Sequence, residues 1–415
     1  MFGVLKDRRI QYLLTANVFS SIGSGITMIA VPWLLVNRAG GDQIFGYATL
    51  FSTLLLFFAS PYIGVLIDRI SRKKTLLFAE YMGLTTVLVF ALWGYVTGQF
   101  ETWQLIAIHF GGSLYYSIYF PTKFAFIQEI FDKGQYRSLN SVLEVQNQFA
   151  TMISGGLASL VIDKVFLSHL LVVDAMTYLI GAVLIFLVPY QPQRKDNAAA
   201  NVSFFANIKE GYHYLKTKPL LNLYLISALM PFIGVMMGNY LFPIYVTKTL
   251  GASATVLGLG STIYAIGAIV AGLTIPYLMN RLNSYRTTIA TGVVYAVAIT
   301  MTAMFPAALI FIAMQFLHGW GNAGIRVARN TVLMEIVPNH LIGRINSFFN
   351  AFGMAMRVSL LTLFTQTIIY TGATGSLYIL SALMITAAIG VVSSRKLFFP
   401  GPDSSSTVPK NNALS

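Results

Sequence analysis

Long apolar segments separated by short polar turns occupy almost the whole chain. A run of about 20 apolar residues is long enough to cross the hydrocarbon core of a membrane as a helix. The pattern predicts twelve such helices, over residues 11–37, 45–67, 75–97, 103–130, 140–162, 169–188, 220–247, 255–279, 287–305, 307–337, 346–370 and 375–394. These runs are long and continuous, whereas the strands of a membrane β-barrel are short and alternate polar with apolar residues. The fold class indicated is therefore an all-α membrane protein with twelve transmembrane helices.

The longest polar stretch between helices divides these segments into two sets of six. We predict an N-terminal six-helix bundle over residues 1–188 and a C-terminal six-helix bundle over 220–394. Residues 189–219 form the linker, and its apolar side chains recur on one face of an amphipathic helix that would lie on the inner membrane surface. Residues 395–415 are rich in proline, glycine and serine and are predicted to be a disordered cytoplasmic tail.

The two halves resemble each other when one is slid along the other. A shift of 212 residues places Asp68 on Asn280, and a shift of 206 residues places Glu129 on Glu335. Parallel repeats of this kind are typical of transporters whose two bundles rock about a substrate path between them. Because an acid of the first copy is an amide in the second, the two copies cannot be electrostatically equal.

Composition and charge support a membrane protein with a defined orientation. Hydrophobic residues make up 56% of the 415 residues and charged residues only 10%, which is too apolar for a soluble protein of this length. Of the 27 Lys and Arg residues, 20 fall on the side that holds both termini, three on the other side and four within helices. Basic residues are retained in the cytoplasm. We therefore predict a multi-pass protein of the cell (inner) membrane with both termini cytoplasmic. Its net charge of +13 follows topology and indicates no nucleic-acid partner.

Motifs for covalent or metal chemistry are missing from the sequence. The chain contains no cysteine, so disulfides and thiolate metal sites are excluded. It also has no phosphate-binding loop for ATP, no zinc-spaced histidine cluster and no G-x-S-x-G nucleophile motif. We therefore expect no cofactor, no metal site and no catalytic residue. An intramembrane enzyme and a non-transporting receptor are the alternatives to a carrier.

The most charged turn of the chain lies between the second and third predicted helices, at residues 64–74. Its spacing, a glycine four residues before an aspartate that is followed by basic residues, resembles the helix 2–3 loop of major facilitator superfamily transporters, which acts as a latch of the cytoplasmic gate. Two further acids near the cytoplasmic ends of helices 4 and 10 are expected to pair with basic residues of this gate. The gate set is Gly64, Asp68, Arg69, Arg72, Lys73, Glu129, Arg137, Arg281, Glu335 and Arg344.

Other segments resemble the exporter branch of that superfamily, which includes macrolide efflux proteins and the enterobactin exporter. They are residues 120–123, 139–142, 174–178, 208–216 and 319–321. The resemblance implies the major facilitator fold and transport by alternating access. Residues 154–156 depart from it, because Ser-Gly-Gly stands where such exporters often carry a Gly-Pro pair. The Pro-x-Lys sequence that ends at Lys123 also resembles lysophospholipid transporters, so a lipid is the alternative substrate.

Ionisable side chains inside the predicted helices are costly to bury and are therefore functional candidates. The cavity or coupling set is Glu80, Lys123, Glu144, Asp174, Arg326, Arg329 and Arg357. A proton-coupled carrier needs a buried carboxylate that loads and releases protons. Its position in helix 5 makes Glu144 the first choice and Glu80 the second, whereas Asp174 is expected near the outer end of helix 6, capping or orienting helices. The alternative role for the cations is a fixed salt bridge that locks helix packing.

Together these features predict a secondary active transporter that works as a monomer. The expected activity is proton-coupled export of an amphipathic organic molecule, such as a drug, a macrolide or a siderophore. Because Lys123, Arg326 and Arg329 leave spare positive charge in the cavity, ligands that bear a carboxylate, catecholate or phosphate are favoured.

Overall fold

The computed structural model describes residues 6–132, 135–190 and 204–399, apart from the side chains at positions 68, 137, 138, 140, 141, 204–207, 339 and 340. All regular elements of this part are helical, which confirms the all-α part of the predicted fold class. The α-helices are α1 (Arg8–Val36), α2 (Gly41–Arg69), α3 (Arg72–Thr97), α4 (Thr102–Ile130), α5 (Tyr136–Val161), α6 (Leu167–Leu187), α7 (Phe204–Lys216), α8 (Pro219–Ile244), α9 (Ala254–Met304), α10 (Ala308–Ile336) and α11 (Asn339–Ser393). A π-helical turn, Tyr245–Thr249, extends α8, and a 3-10 helix, Ser394–Leu397, follows α11.

Eight helices of the described chain are long and apolar enough to cross a membrane by length and composition. They are α1, α2, α3, α6, α8 with its π-helical extension, α9, α10 and α11. The helices α4 and α5 fall outside this set, because polar side chains such as His109, Lys123 and Glu144 interrupt their apolar sequences. The chain is therefore a multi-span membrane protein.

Two of these helices, α9 and α11, each consist of two helical segments joined at a kink. α9 has 51 residues and α11 has 55, and each covers two of the predicted segments. One residue with positive φ interrupts each of them: Asn283 in α9 (φ 69°) and Gly372 in α11 (φ 63°). Glycine has no Cβ to clash in this conformation, whereas Asn283, with a ψ of 167°, adopts it with strain. A single residue therefore replaces the polar turns predicted at 280–286 and 371–374. The described part has eleven α-helices rather than twelve plus a linker helix.

The turns of the chain alternate between two ends of the molecule. We call the end that holds the start of α1 and the α2–α3 turn at 70–71 the basic end, and the end that holds the α1–α2 turn at 37–40 the far end. Within the first half, α1 packs on α4, α5 and α6, and α3 packs on α4 and α6. Within the second half, α9 packs on α10 and α11 packs on α8 and α9. The halves meet where α5 contacts α9 and α2 contacts α11.

The linker helix α7 packs on α11 near the basic end. Glu210 of α7 forms an ion pair with Arg344 of α11. The ring of Tyr212 lies 5.9 Å from that of Phe348, and Leu215 is fully buried. The amphipathic helix thus covers α11 with its apolar face.

The start of the C-terminal tail is folded, which corrects the prediction that disorder begins at residue 395. The 3-10 helix Ser394–Leu397 continues the chain from α11. Phe398 then stacks on Tyr285, with ring centres 4.6 Å apart, and meets Tyr224 edge-on at 5.2 Å. Burial of this aromatic ring holds the segment against α8 and α9. Residues 400–415 lie outside the described residues.

Candidate functional site

The two halves are held together mainly at the far end. Tyr240 of α8 donates a hydrogen bond to the carbonyl oxygen of Asp42 at the start of α2 (3.2 Å). Thr255 at the start of α9 donates to the carbonyl oxygen of Ser159 near the end of α5 (2.8 Å). The far end is therefore the closed end of the interface between the halves.

Two glycines bring α5 and α9 into backbone contact near this closed end. A Cβ atom added at Gly155 would lie 2.8 Å from the carbonyl oxygen of Gly258 and 2.9 Å from the amide nitrogen of Thr262. A Cβ atom added at Gly258 would lie 2.6 Å from the carbonyl oxygen of Gly155. Such distances are shorter than carbon–oxygen contact allows, so any side chain here would push the two helices apart. The Ser-Gly-Gly sequence of α5 is thus a close-packing surface between the halves.

Of the ion pairs in the described part of the chain, one joins α5 to α10 across the interface. Nη2 of Arg326 lies 2.6 Å from Oε1 of Glu144, and 38% and 49% of the two side chains are exposed. Glu144 lies about 12 Å along α5 from its start at the basic end. Neither side chain of this ion pair is therefore sealed between the halves.

Lys123 lies in a polar network beside that pair. Its ammonium donates to Oδ1 of Asn17 (3.0 Å) and lies 4.9 Å from the centre of the Phe120 ring. Asn17 in turn donates to Gln146 and to Asn147 (3.2 Å), which follow Glu144 on α5. No carboxylate of the described residues lies within ion-pair distance of Lys123. An amide oxygen and a cation–π contact therefore hold this buried charge.

Glu80 of α3 is fully buried within the first half. Its two carboxylate oxygens accept hydrogen bonds from Ser20 of α1 (3.1 and 3.0 Å), and Oε1 accepts one from Tyr115 of α4 (3.3 Å). Among the described residues no lysine or arginine pairs with it. Hydroxyl groups alone therefore compensate for the burial of this acid.

Asp174 lies in the bundle interior, about 10 Å along α6 from its start, and is 1% exposed. α6 begins at the far end with Leu167, so Asp174 lies about two turns in from that end. The carboxylate accepts hydrogen bonds from Thr27 of α1 (2.6 Å) and Thr177 (3.4 Å). Asp174 and Glu80 contact α1 about two turns apart, at Thr27 and at Ser20. The first half thus contains a pair of buried acids with no cation partner among the described residues.

The two remaining cations of the cavity set are half-buried. Arg329 lies almost one turn beyond Arg326 on α10 and makes only a long contact with the side chain of Asn330 (3.4 Å). Arg357 lies on α11, where its Nε atom is shielded from solvent and has no hydrogen-bond partner. Neither residue takes part in an ion pair with the described residues.

Three of the gate candidates, Arg72, Lys73 and Glu129, act within the first half. Arg72 pairs with Glu129 (3.2 Å) and also donates to the carbonyl oxygen of Ala125 (2.7 Å), which ties α3 to α4. Lys73 donates to the carbonyl oxygens of Phe186 (2.7 Å) and Val188 (2.8 Å). Because the last carbonyls of a helix lack partners within it, Lys73 caps the end of α6.

The other gate candidates lie apart from one another at the basic end. Arg69, Arg281 and Glu335 are exposed, and the Arg281 guanidinium lies 5.5 Å from the centre of the Tyr277 ring. A Cβ atom at Gly64 would meet open space, and Arg344 contacts the linker helix. Asp68 and Arg137 belong to α2 and α5, but their side chains are outside the described part. The described contacts of the gate set stay within one half or involve α7, as expected where the basic end is open.

A polar stripe on α1 is the main feature that sequence reasoning missed. Its members are Asn17, Ser20, Ser24 and Thr27. Successive spacings of three, four and three residues place all four side chains on one helix face. They contact the buried lysine, both buried acids and the hydroxyl of Tyr116 (2.6 Å). The spacing itself is the signal that could have identified this stripe.

Solved structures of transporters share this fold. The nucleoside transporter NupG, as its D323A mutant, superposes with a TM-score of 0.72 at 13% identity, covering 94% of this chain and 100% of that one. A bacterial homologue of the iron transporter ferroportin, in its inward-facing state, gives 0.68 at 15% identity, covering 93% and 98%. At such low identities the similarity is one of fold alone.

Sequence relatives include named efflux proteins. The multidrug efflux pump Tap of Mycolicibacterium fortuitum is 22% identical over 345 residues, 80% of this chain and 82% of Tap. Macrolide efflux protein A of Streptococcus pyogenes is 20% identical over 351 residues, 82% of this chain and 85% of that protein. The family model described as transmembrane secretion effector matches residues 2–412. This chain, a transporter homologue rather than an enzyme, therefore belongs to the transmembrane secretion effector family of the major facilitator superfamily.

Proposed function

We propose that this protein is a proton-coupled exporter that moves an amphipathic organic molecule across the cell membrane by alternating access. The observation that carries the proposal is the interface between the halves, which is closed by the contact of Gly155 with Gly258 and leaves the Glu144–Arg326 pair half-exposed. A carrier exposes its central site to one side at a time in this way. The efflux activity in the names of two relatives supports an organic cargo and outward transport.

We also propose twelve membrane crossings in two six-helix bundles. As straight helices, α9 and α11 would be roughly 75 and 80 Å long, more than twice the thickness of a bilayer core. Each therefore crosses twice, turning at Asn283 and at Gly372. The excess of lysine and arginine at the basic end supports a cytoplasmic position for that end and for both termini. The unit that we propose to be active is the monomer.

The coupling protons are assigned to Glu80 and Asp174 rather than to Glu144. Glu144 already has a cation partner and lies in an accessible space, whereas the other two acids are buried among hydroxyl groups. Two neighbouring buried carboxylates without a cation are costly to ionise together, so the pair is suited to binding and releasing a proton. α1 contacts both acids through its polar stripe and also holds Lys123 through Asn17. A change in protonation can therefore move α1, and through Asn17 this movement changes the polar network around Lys123.

Reversal of the charges in the Glu144–Arg326 pair should report whether it guides the movement of the halves. We expect Glu144→Arg and Arg326→Glu each to slow transport about three- to tenfold, because like charges then face each other in a partly solvated site. The double variant should recover most of the native rate. Initial rates in proteoliposomes measure this effect, with the exposed Arg286→Glu as the control. A double variant as slow as the slower single variant would show that the contact has no role in transport.

Transport in inside-out vesicles tests the proposed function directly. Vesicles with an acidic interior should accumulate a macrolide or a catecholate siderophore, and an uncoupler should abolish this accumulation. Vesicles without the protein provide the background. Movement of a lysophospholipid alone would favour the alternative cargo. If no ligand of these three classes shows either accumulation or counterflow, the carrier function is wrong.

A further inference from the structure

Arg357 lies at the interface between the halves and has no counter-ion among the described residues. It lies on α11, which packs against α2 of the other half. Its Nε atom is buried without a hydrogen-bond partner, and no carboxylate of the described residues forms an ion pair with it. A guanidinium inside a membrane protein requires an anion or hydrogen-bond acceptors to offset its burial. The described chain supplies neither.

His109 of α4 contributes a second unpartnered group in this region. The side chain is 6% exposed, and its Nδ1 atom is buried without a hydrogen-bond partner. Its ring meets that of Phe45 edge-on at 5.4 Å, which places it beside the first turns of α2. α4 packs on α2, so His109 lies beside the same helix that faces α11. A neutral imidazole can donate through either nitrogen, so Nδ1 can provide a donor to a bound group.

Hydroxyl groups of α2 lie at about the same depth in the molecule as Arg357 of α11. Gly46 packs against Thr365, and α2 and α11 run in opposite directions. Seven residues, or about two turns, lead from Gly46 to Thr53, and eight residues lead back from Thr365 to Arg357. The hydroxyls of Thr53 and of Thr49, one turn earlier, are buried without hydrogen-bond partners. Each can therefore donate to a group that enters between α2 and α11.

We propose that Arg357, His109, Thr49 and Thr53 form a subsite for an anionic group of the transported molecule, either a carboxylate or a phosphate. The guanidinium provides forked, charge-assisted donors that suit both groups. The imidazole and the two hydroxyls supply donors for the remaining lone pairs. The subsite is distinct from the Lys123 network, because that ammonium already has Asn17 and an aromatic ring as partners.

The position of the subsite gives it a place in the transport cycle. It lies between helices of both halves, α2 and α4 on one side and α11 on the other, beneath the contacts that close the far end. A bound anion would therefore bridge the halves while the far end is closed. When that end opens, α11 moves away from α2. The residues of the subsite then lie apart, and the anion is released. This inference rests on the proposed transport function.

Matched fluorescent probes can test the charge preference of the full-length protein in nanodiscs. The probes are 11-(dansylamino)undecanoic acid, its methyl ester and N-dansyl-1,11-diaminoundecane, and empty nanodiscs measure partition into lipid. The native protein should bind the acid at least about tenfold more tightly than the ester. Arg357→Gln should remove this preference and leave binding of the ester within about twofold, since only the charge-assisted contacts are lost. The exposed Arg286→Gln should behave as the native protein does.

Equal binding of the acid and the ester by the native protein would overturn the subsite, as would unchanged binding of the acid by Arg357→Gln. If that variant does not fold, His109→Gln decides, with an expected loss of about two- to fivefold in affinity for the acid. Unchanged affinity in His109→Gln would then refute the proposal. If the protein transports a ligand but binds the acid and the ester equally, the subsite is wrong and the proposed function stands. If the protein prefers the acid but transports none of the ligands, the proposed function is wrong instead.

Discussion

Glu80→Gln should abolish proton-driven accumulation of the cargo while downhill exchange continues. Glutamine has almost the same shape and can still accept hydrogen bonds from Ser20 and Tyr115, but it cannot bind or release a proton. We expect accumulation under a pH gradient to fall about tenfold or more, and counterflow to stay within about threefold of the native rate. Asp174→Asn should have the same effect, because Asp174 is the second buried acid of this bundle and is also held by a hydroxyl of α1. Proteoliposomes with and without a pH gradient measure both quantities.

Glu144→Gln is the matched control for that experiment. It removes a carboxylate of the same type from a half-exposed position that already has a cation partner. We expect it to retain gradient-driven accumulation within about threefold of native, because an exposed ion pair contributes little. Normal accumulation in Glu80→Gln and Asp174→Asn together with a loss in Glu144→Gln would return the coupling role to Glu144.

The membrane helices could be predicted because a bilayer demands a minimum length of apolar sequence. The predicted segment 103–130 differs by one residue from Thr102–Ile130, and 75–97 lacks only the first turn of Arg72–Thr97. The predicted turns at 280–286 and 371–374 contain the kinks at Asn283 and Gly372, but each observed turn is shorter than predicted. A single left-handed residue, Asn283 or Gly372, interrupts the helix there, and the residues around it remain helical.

The charged residues of the candidate site could also be found from the sequence, whereas their partners could not. Any acid within an apolar helix stands out, so Glu80, Glu144 and Asp174 were all identified. Which of them is paired depends on how each helix is rotated against its neighbours. α5 turns Glu144 toward Arg326 of the other half, and α3 and α6 turn the other two acids toward the hydroxyls of α1.

Lys73 illustrates the same limit at the gate. Its place in a motif resembling the latch of the superfamily indicates a role between the halves. In the structure its ammonium reaches the last carbonyls of α6, because the end of α6 lies beside the start of α3. No local pattern encodes that proximity, which depends on the packing of helices distant in sequence. The close approach of Gly155 to Gly258 is likewise visible only in three dimensions.

Gly155→Ala should shift the protein away from the arrangement with a closed far end and slow transport strongly. The added methyl group would lie 2.8 Å from the carbonyl oxygen of Gly258, so α5 and α9 must separate. Overpacking of this kind costs about 1–3 kcal/mol, which corresponds to a change of roughly five- to hundredfold in the population of the closed arrangement. Transport requires both arrangements in turn, so we expect its rate to fall about tenfold.

The neighbouring glycine provides the control, and the natural lack of cysteine provides the measurement. A Cβ atom at Gly156 would meet only the hydroxyl of Thr262 at 3.7 Å, an ordinary contact, so Gly156→Ala should transport normally. Because the chain has no cysteine of its own, Ser159→Cys introduces a single thiol at the far end, where the native residue is 7% exposed. A membrane-impermeant maleimide should label this thiol several times faster in the Gly155→Ala background than in the Gly156→Ala background. Equal labelling and equal transport in the two backgrounds would mean that the glycine contact between α5 and α9 does not close the far end.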